Sequence, residues 1–201
     1  MEKKSSTVRD RLLETADRLF YAGGIHAVGI DRVIAESGVS KSTMYVHFRT
    51  KEDLVAEYLR RRSDAMRIRV TREVEAREQM PVEGRILSVF DVLHEVISEP
   101  GFRGCAFANA AAEYPHHEKV QEAVAHDRVW LPALFSRLLD PLGAEDDLLV
   151  AALVQVYDGA NAAAHLDRSK TSARTARKTV ELLLAARESA PTGRRTRDGG
   201  H

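Results

Sequence analysis

The chain has 201 residues, 44% of them apolar, enough to bury one helical core or a small head joined to a larger body. Lys plus Arg and Asp plus Glu each number 30, so the formal net charge is zero, no global basic excess marks a nucleic-acid binder, and any DNA-binding surface has to be local. The single cysteine, Cys105, excludes an internal disulfide and a multi-cysteine zinc site, and the opening MEKKSSTVRD lacks the apolar stretch of a signal peptide; a cytoplasmic protein with no membrane span and no cofactor is expected.

Residues 1–51 carry nine Lys/Arg against six Asp/Glu, a modest local surplus of three. From Val8 to Tyr21, Leu12, Leu13, Ala16, Leu19 and Phe20 recur at helical spacing, with Thr7 and Asp10 as an acidic capping box and Gly23-Gly24 as the stop. A short second helix is expected over Ile30–Ser37, with Ile30, Val33 and Ile34 inward and Gly38 supplying a left-handed turn. Ser40 restarts the chain as an N-cap for the helix Ser40–His47, so two helices are joined by a three- to four-residue turn, the helix-turn-helix signature. Thr50 to Asp53 repeats the capping pattern and opens a fourth helix, which runs through the charge-rich stretch 60–78 as a half-exposed connector and ends by Pro81.

Beyond it the sequence predicts a helical body. Val82–Ser98 is amphipathic through Ile86, Val89, Phe90, Leu93 and Ile97, and Cys105–Tyr114 is a short alanine-rich helix. His116–Leu139 follows, bent or interrupted near Pro132, then Ala144–Asp167 and Thr171–Arg187; the tail 189–201 is expected to be disordered. The fold class is all-α, a head over 7–58 and a helical body over 59–188, with no strand alternation, nucleotide-binding glycine loop or internal repeat.

The segments Leu12–Phe20, Ala22-Gly23-Gly24, Ala35–Phe48 and Lys51–Leu54 resemble, in order and spacing, the N-terminal domain of the TetR family of transcriptional regulators. Gly29 departs from the pattern, since many members place Ser or Thr there to cap the second helix; the weaker cap costs a few tenths of a kcal/mol. Small polar residues at the start of a helix in the major groove allow close approach, which makes Lys41, Ser42 and Thr43, with Ser40 at the cap, the base readers. The resemblance implies that Tyr45, His47 and Lys51 meet phosphate or groove edge, while Val39, Met44 and Phe48 are core.

One head covers one half-site, so a homodimer on near-palindromic double-stranded DNA is expected. The resemblance places its interface on the last two helices, through Leu148, Leu149, Ala152, Leu153 and Val156 and through Val180, Leu182, Leu183 and Leu184. It also implies a small-molecule effector in the body and a repressor released by it. Residues able to line such a site are Phe90, Cys105, Phe107, Asn109, Trp130, Tyr157 and Asn161, with His94 and His165 beside them. Alternatives are an architectural DNA-binding protein, and a metal-responsive regulator using His116, His117 and His126. Catalysis at Cys105 is not expected, because no catalytic signature surrounds it.

Overall fold

The computed structural model describes residues 7–140 and 147–189, and among these the chain forms ten helices and no strand. The head holds α1 (Val8–Gly23), α2 (Ile30–Ser37) and α3 (Lys41–His47), and α4 (Lys51–Glu75) leaves it as a beam of 25 residues. The body adds α5 (Val82–Ser98), α6 (Ala106–Glu113), α7 (Glu118–Arg128), α8 (Trp130–Leu139), α9 (Asp147–Leu166) and α10 (Ser172–Ser189). The start expected for α9 at Ala144 and the tail from 190 onward lie outside the described residues.

Local chemistry sets the boundaries. At α1 the Thr7 hydroxyl accepts from the Asp10 N–H at 3.1 Å, and the Asp10 carboxylate accepts from the Thr7 N–H at 3.2 Å. Thr50 and Asp53 do the same at α4, at 3.1 and 3.2 Å, so two otherwise orphaned N–H groups are satisfied at each start. Gly29 caps α2 with no side-chain bond, and Gly38 ends it at φ 65°, a left-handed backbone that costs glycine nothing. The helix expected over His116–Leu139 is divided, but at Val129 rather than at Pro132. Proline stands third in α8, where its missing N–H has no intrahelical acceptor to lose, so the break falls upstream of it.

Two apolar clusters hold the chain together. One gathers Leu12, Leu19, Phe20, Val33, Met44, Phe48, Leu54 and Tyr58 of the head, and takes in Ala106 and Ala110 of α6 and Val120 and Ala123 of α7. The other gathers Val70 and Val74 of α4 with Phe90, Leu93, Phe135, Leu139, Leu153, Val180 and Leu184. The first turns of α4 therefore belong to one core and its last turns to the other. The alanines of α6 let it lie close against the head, so the head's core extends past Tyr58 into the body.

Candidate DNA-binding surface and ligand cavity

Helix α3 is pinned by Met44, wholly buried, and by Val39 and Phe48 at its two ends. The opposite side faces solvent. Ser40 caps the helix by accepting from the Thr43 N–H at 3.2 Å, and its hydroxyl lies 3.0 Å from that of Ser42 and 2.7 Å from that of Thr43. Lys41 pairs with Asp31 of α2 at 2.9 Å, a bond that raises the lysine's pKa and ties the two helices of the motif together. Tyr45 is 42% exposed and Val46 80%, with His47 exposed beside them.

Val46 escaped the sequence reading. Its signal was there: Met44 and Phe48, four apart, define the inward stripe, and a residue two on from Met44 is turned about 200° away. An apolar side chain on the outer face of a recognition helix is suited to a thymine methyl.

Lys51 is placed differently from its neighbours. Its ammonium donates to the Ile25 carbonyl at 2.6 Å, and burial lowers its pKa. The same peptide is held from the other side by Glu113 of α6, whose carboxylate accepts from the Ile25 N–H at 3.2 Å and the His26 N–H at 2.6 Å. The His26 ring donates to the Glu113 carbonyl at 2.5 Å and stacks on Tyr114, centroids 4.5 Å apart. The turn that leads into α2 is thus clamped by the C-terminal end of α6. At the other end of α6, the Tyr21 hydroxyl donates to the Gly104 carbonyl at 2.9 Å and accepts from the Arg103 N–H at 2.8 Å. Lys119 of α7 completes the join on Asp53, whose carboxyl it holds below the ordinary value with help from Thr50.

Between α1, α4 and α6 to α9 lies a cavity of about 400 Å³. Five residues expected at an effector site line it: Cys105, Phe107, Trp130, Tyr157 and Asn161. Two do not. Phe90 is wholly buried in the core behind the Tyr157 ring, 6.1 Å away edge-on, because its helix turns it inward with Phe135. Asn109 donates to the Arg103 carbonyl at 3.3 Å and faces a smaller void of about 180 Å³, shared with His165. His94 stands apart from the cavity and accepts from Arg174 at 3.2 Å.

The wall also contains residues the sequence did not single out, among them Tyr21 of α1, Arg62, Met66 and Arg69 of α4, and Asp127 of α7. The stretch 60–78 read as a solvated connector because of its charge. In the fold Arg62 is drawn under the head, 3.8 Å over the Tyr21 ring and 2.5 Å from Asp17. Burial raises the pKa of the Cys105 thiol and the Tyr157 phenol, which keeps both neutral at the cavity wall and makes Cys105 a poor nucleophile.

The model of bacterial regulatory proteins of the tetR family matches residues 12–58. Along almost the whole chain the structure is similar to a TetR-family transcriptional regulator of Streptomyces coelicolor, at 38% identity over 89% of each chain with a TM-score of 0.83. The chain belongs to the TetR family of transcriptional regulators. Shorter similarities reach two Bacillus subtilis regulators: YxaF, an HTH-type transcriptional regulator, at 42% identity over 50 residues, and LmrA at 34% over 77. These stretches cover 24% and 38% of this chain but only 26% and 40% of the relatives' own length.

In this TetR-family regulator α9 and α10 pack against each other, and each leaves apolar side chains uncovered. Leu148 is 81% and Leu182 72% exposed, and Leu166, Ala151 and Ala162 continue the exposed stripe along α9. The candidate interface residues divide accordingly. Leu149, Leu153, Val180 and Leu184 are turned into the core, while Ala152, Val156 and Leu183 are half-buried. Among the described residues no three His, Cys, Asp or Glu side chains stand where they could hold a metal together, His116, His117 and His126 included. No described helix is long and apolar enough to cross a membrane.

Proposed function

We propose that this regulator is a cytoplasmic homodimeric repressor that reads a near-palindromic operator and leaves it when a small molecule fills the 400 Å³ cavity. In this reading 7–58 is the reading head and 59–188 the effector-binding and dimerising body. Lys41, Ser42 and Thr43 read bases with Ser40 at the cap, Val46 adds an apolar contact, and Tyr45 and His47 meet the backbone. Lys51 reaches phosphate only by leaving the Ile25 carbonyl, so its first task here is to close that turn.

One observation carries the regulatory part: the cavity and the head share elements. Tyr21 of α1 and Arg62 of α4 line the cavity, and α6 begins at its wall and ends in the Glu113 clamp on the turn before α2. A ligand that prefers a body with α6 and α4 shifted also prefers altered head spacing, and a 100-fold loss of operator affinity needs a preference of about 2.7 kcal/mol.

The test begins by selecting bound sequences from random duplex DNA. A gel shift on the selected operator, at stated salt, is then expected to lose affinity at least tenfold with Lys41→Ala plus Tyr45→Ala, with the thermal transition unchanged. No sequence enrichment, or full affinity in the double variant, would overturn the assignment. A Leu148→Glu variant that binds one half-site only supports the dimeric arm.

A further inference from the structure

The wall of the cavity contains four carboxylates, Asp17, Glu99, Asp127 and Asp158, and four guanidiniums, Arg61, Arg62, Arg69 and Arg128. Three pairs are closed: Arg62 with Asp17 at 2.5 Å, Arg69 with Glu99 at 2.5 Å, and Arg128 with Asp158 at 2.8 Å. Arg61 turns out of the wall toward Glu14 and Asp10, at 3.3 and 4.0 Å. Asp127 remains. Among the described residues no cationic side chain reaches it within 4.0 Å, and its carboxylate accepts the indole N–H of Trp130 at 3.1 Å. The two guanidiniums whose charge bears on it are engaged elsewhere: Arg67 on the His126 carbonyl at 2.7 Å, Arg128 on Asp158.

We infer that the effector is an organic cation, an apolar and partly aromatic body carrying an ammonium or amidinium group that pairs with Asp127 while its rings lie on Trp130, Phe107 and Tyr157. This rests on the cavity being the effector site. A cation turns the one unpaired wall carboxylate into an ion pair in a partly desolvated setting and gains from the aromatic faces around it. An anion would bring a second unpaired negative charge to Asp127, and a neutral ligand leaves it as it stands. Burial already raises the pKa of Asp127, and Arg67 and Arg128 oppose that from a distance, so the carboxylate is held in a setting where an arriving cation is worth more than at the surface. The volume suits a molecule of ordinary drug or metabolite size.

Trp130 is the only tryptophan in the chain and is bonded to Asp127, so its fluorescence reports on the site directly. The full chain is titrated with benzyltrimethylammonium, with its uncharged carbon isostere neopentylbenzene, and with benzylphosphonate as the anion. The cation is expected to bind at least tenfold more tightly than the isostere, and Asp127→Asn to bring the two within twofold. Asparagine keeps an oxygen for the Trp130 N–H, so unchanged isostere binding and an unchanged circular dichroism spectrum exclude simple misfolding. Absence of cation binding at millimolar concentration, equal or tighter binding of the isostere or anion, or a preference that survives Asp127→Asn would each overturn the proposal. A gel shift with the same three probes separates the two readings. A cation that binds through Asp127 and leaves operator affinity unchanged sinks the effector role and keeps the cation site, whereas release by the neutral or anionic probe does the reverse.

Discussion

The Tyr21 hydroxyl joins head to body, and Tyr21→Phe removes that oxygen alone. The ring stays, and with it the Arg62 guanidinium 3.8 Å above it. Lost are the bond to the Gly104 carbonyl and the bond from the Arg103 N–H, both at a half-buried site. Two hydrogen bonds of net worth near 1 kcal/mol each give an expected destabilisation of about 2 kcal/mol, at the lower end of a roughly 2–4 kcal/mol range if water does not replace the hydroxyl. For a chain of this size each kcal/mol moves the midpoint by about 2–4 °C, so Tm should fall by about 4–8 °C. Urea unfolding followed by helical circular dichroism gives the same quantity from the shift in midpoint at common slope. Wild type and variant must be compared at equal protomer concentration, because association adds to apparent stability. A change below about 0.5 kcal/mol would refute the bridge as a stabilising feature.

Asp53→Asn should destabilise by about 0.5–1 kcal/mol at neutral pH, through loss of the Lys119 pair and of the carboxylate charge that accepts from the Thr50 N–H at the α4 cap. The native carboxyl has a lowered pKa, so its contribution is full above the unfolded value near 4 and disappears as pH falls through the folded one; wild-type and variant melting curves should converge in acid. Gly104→Ala should cost about 1–3 kcal/mol, because φ is +80° and the new Cβ would lie 3.0 Å from the His165 ring. Adding His165→Ala should recover the steric part in denaturant melts and leave the backbone part. Leu182→Glu places a charge on the exposed α9–α10 face, and light scattering should then give the mass of one chain; an unchanged dimer would move the interface elsewhere.

How much of the molecule was legible follows the range of the forces involved. The caps at Thr7 and Thr50, the bare cap at Gly29 and the left-handed Gly38 all stand where the sequence put them, since each depends on atoms within four residues. Cys105, Phe107, Trp130, Tyr157 and Asn161 stand out in the sequence as large or polar side chains in an apolar body, and packing brings them to one wall. Phe90 met the same description and went to the core, since a helical stripe names the buried side of α5 without saying which ring on it borders empty space. Asp127 could not be distinguished from other acids, because its lack of a counter-charge exists only once Arg128 has been given to Asp158.

By itself the sequence determined the all-helical class, the helix-turn-helix with its inward Met44 and outward polar face, and the start signals of α1, α3 and α4, because these follow from helical period and local hydrogen bonding. Only the tertiary structure decided that α6 locks the head through Glu113, that α4 lends arginines to the cavity, and that Leu148 and Leu182, not Leu149 and Leu184, remain uncovered. Those outcomes turn on partners 30 to 88 residues apart, or on which side of a helix finds a neighbour, and no local pattern encodes either.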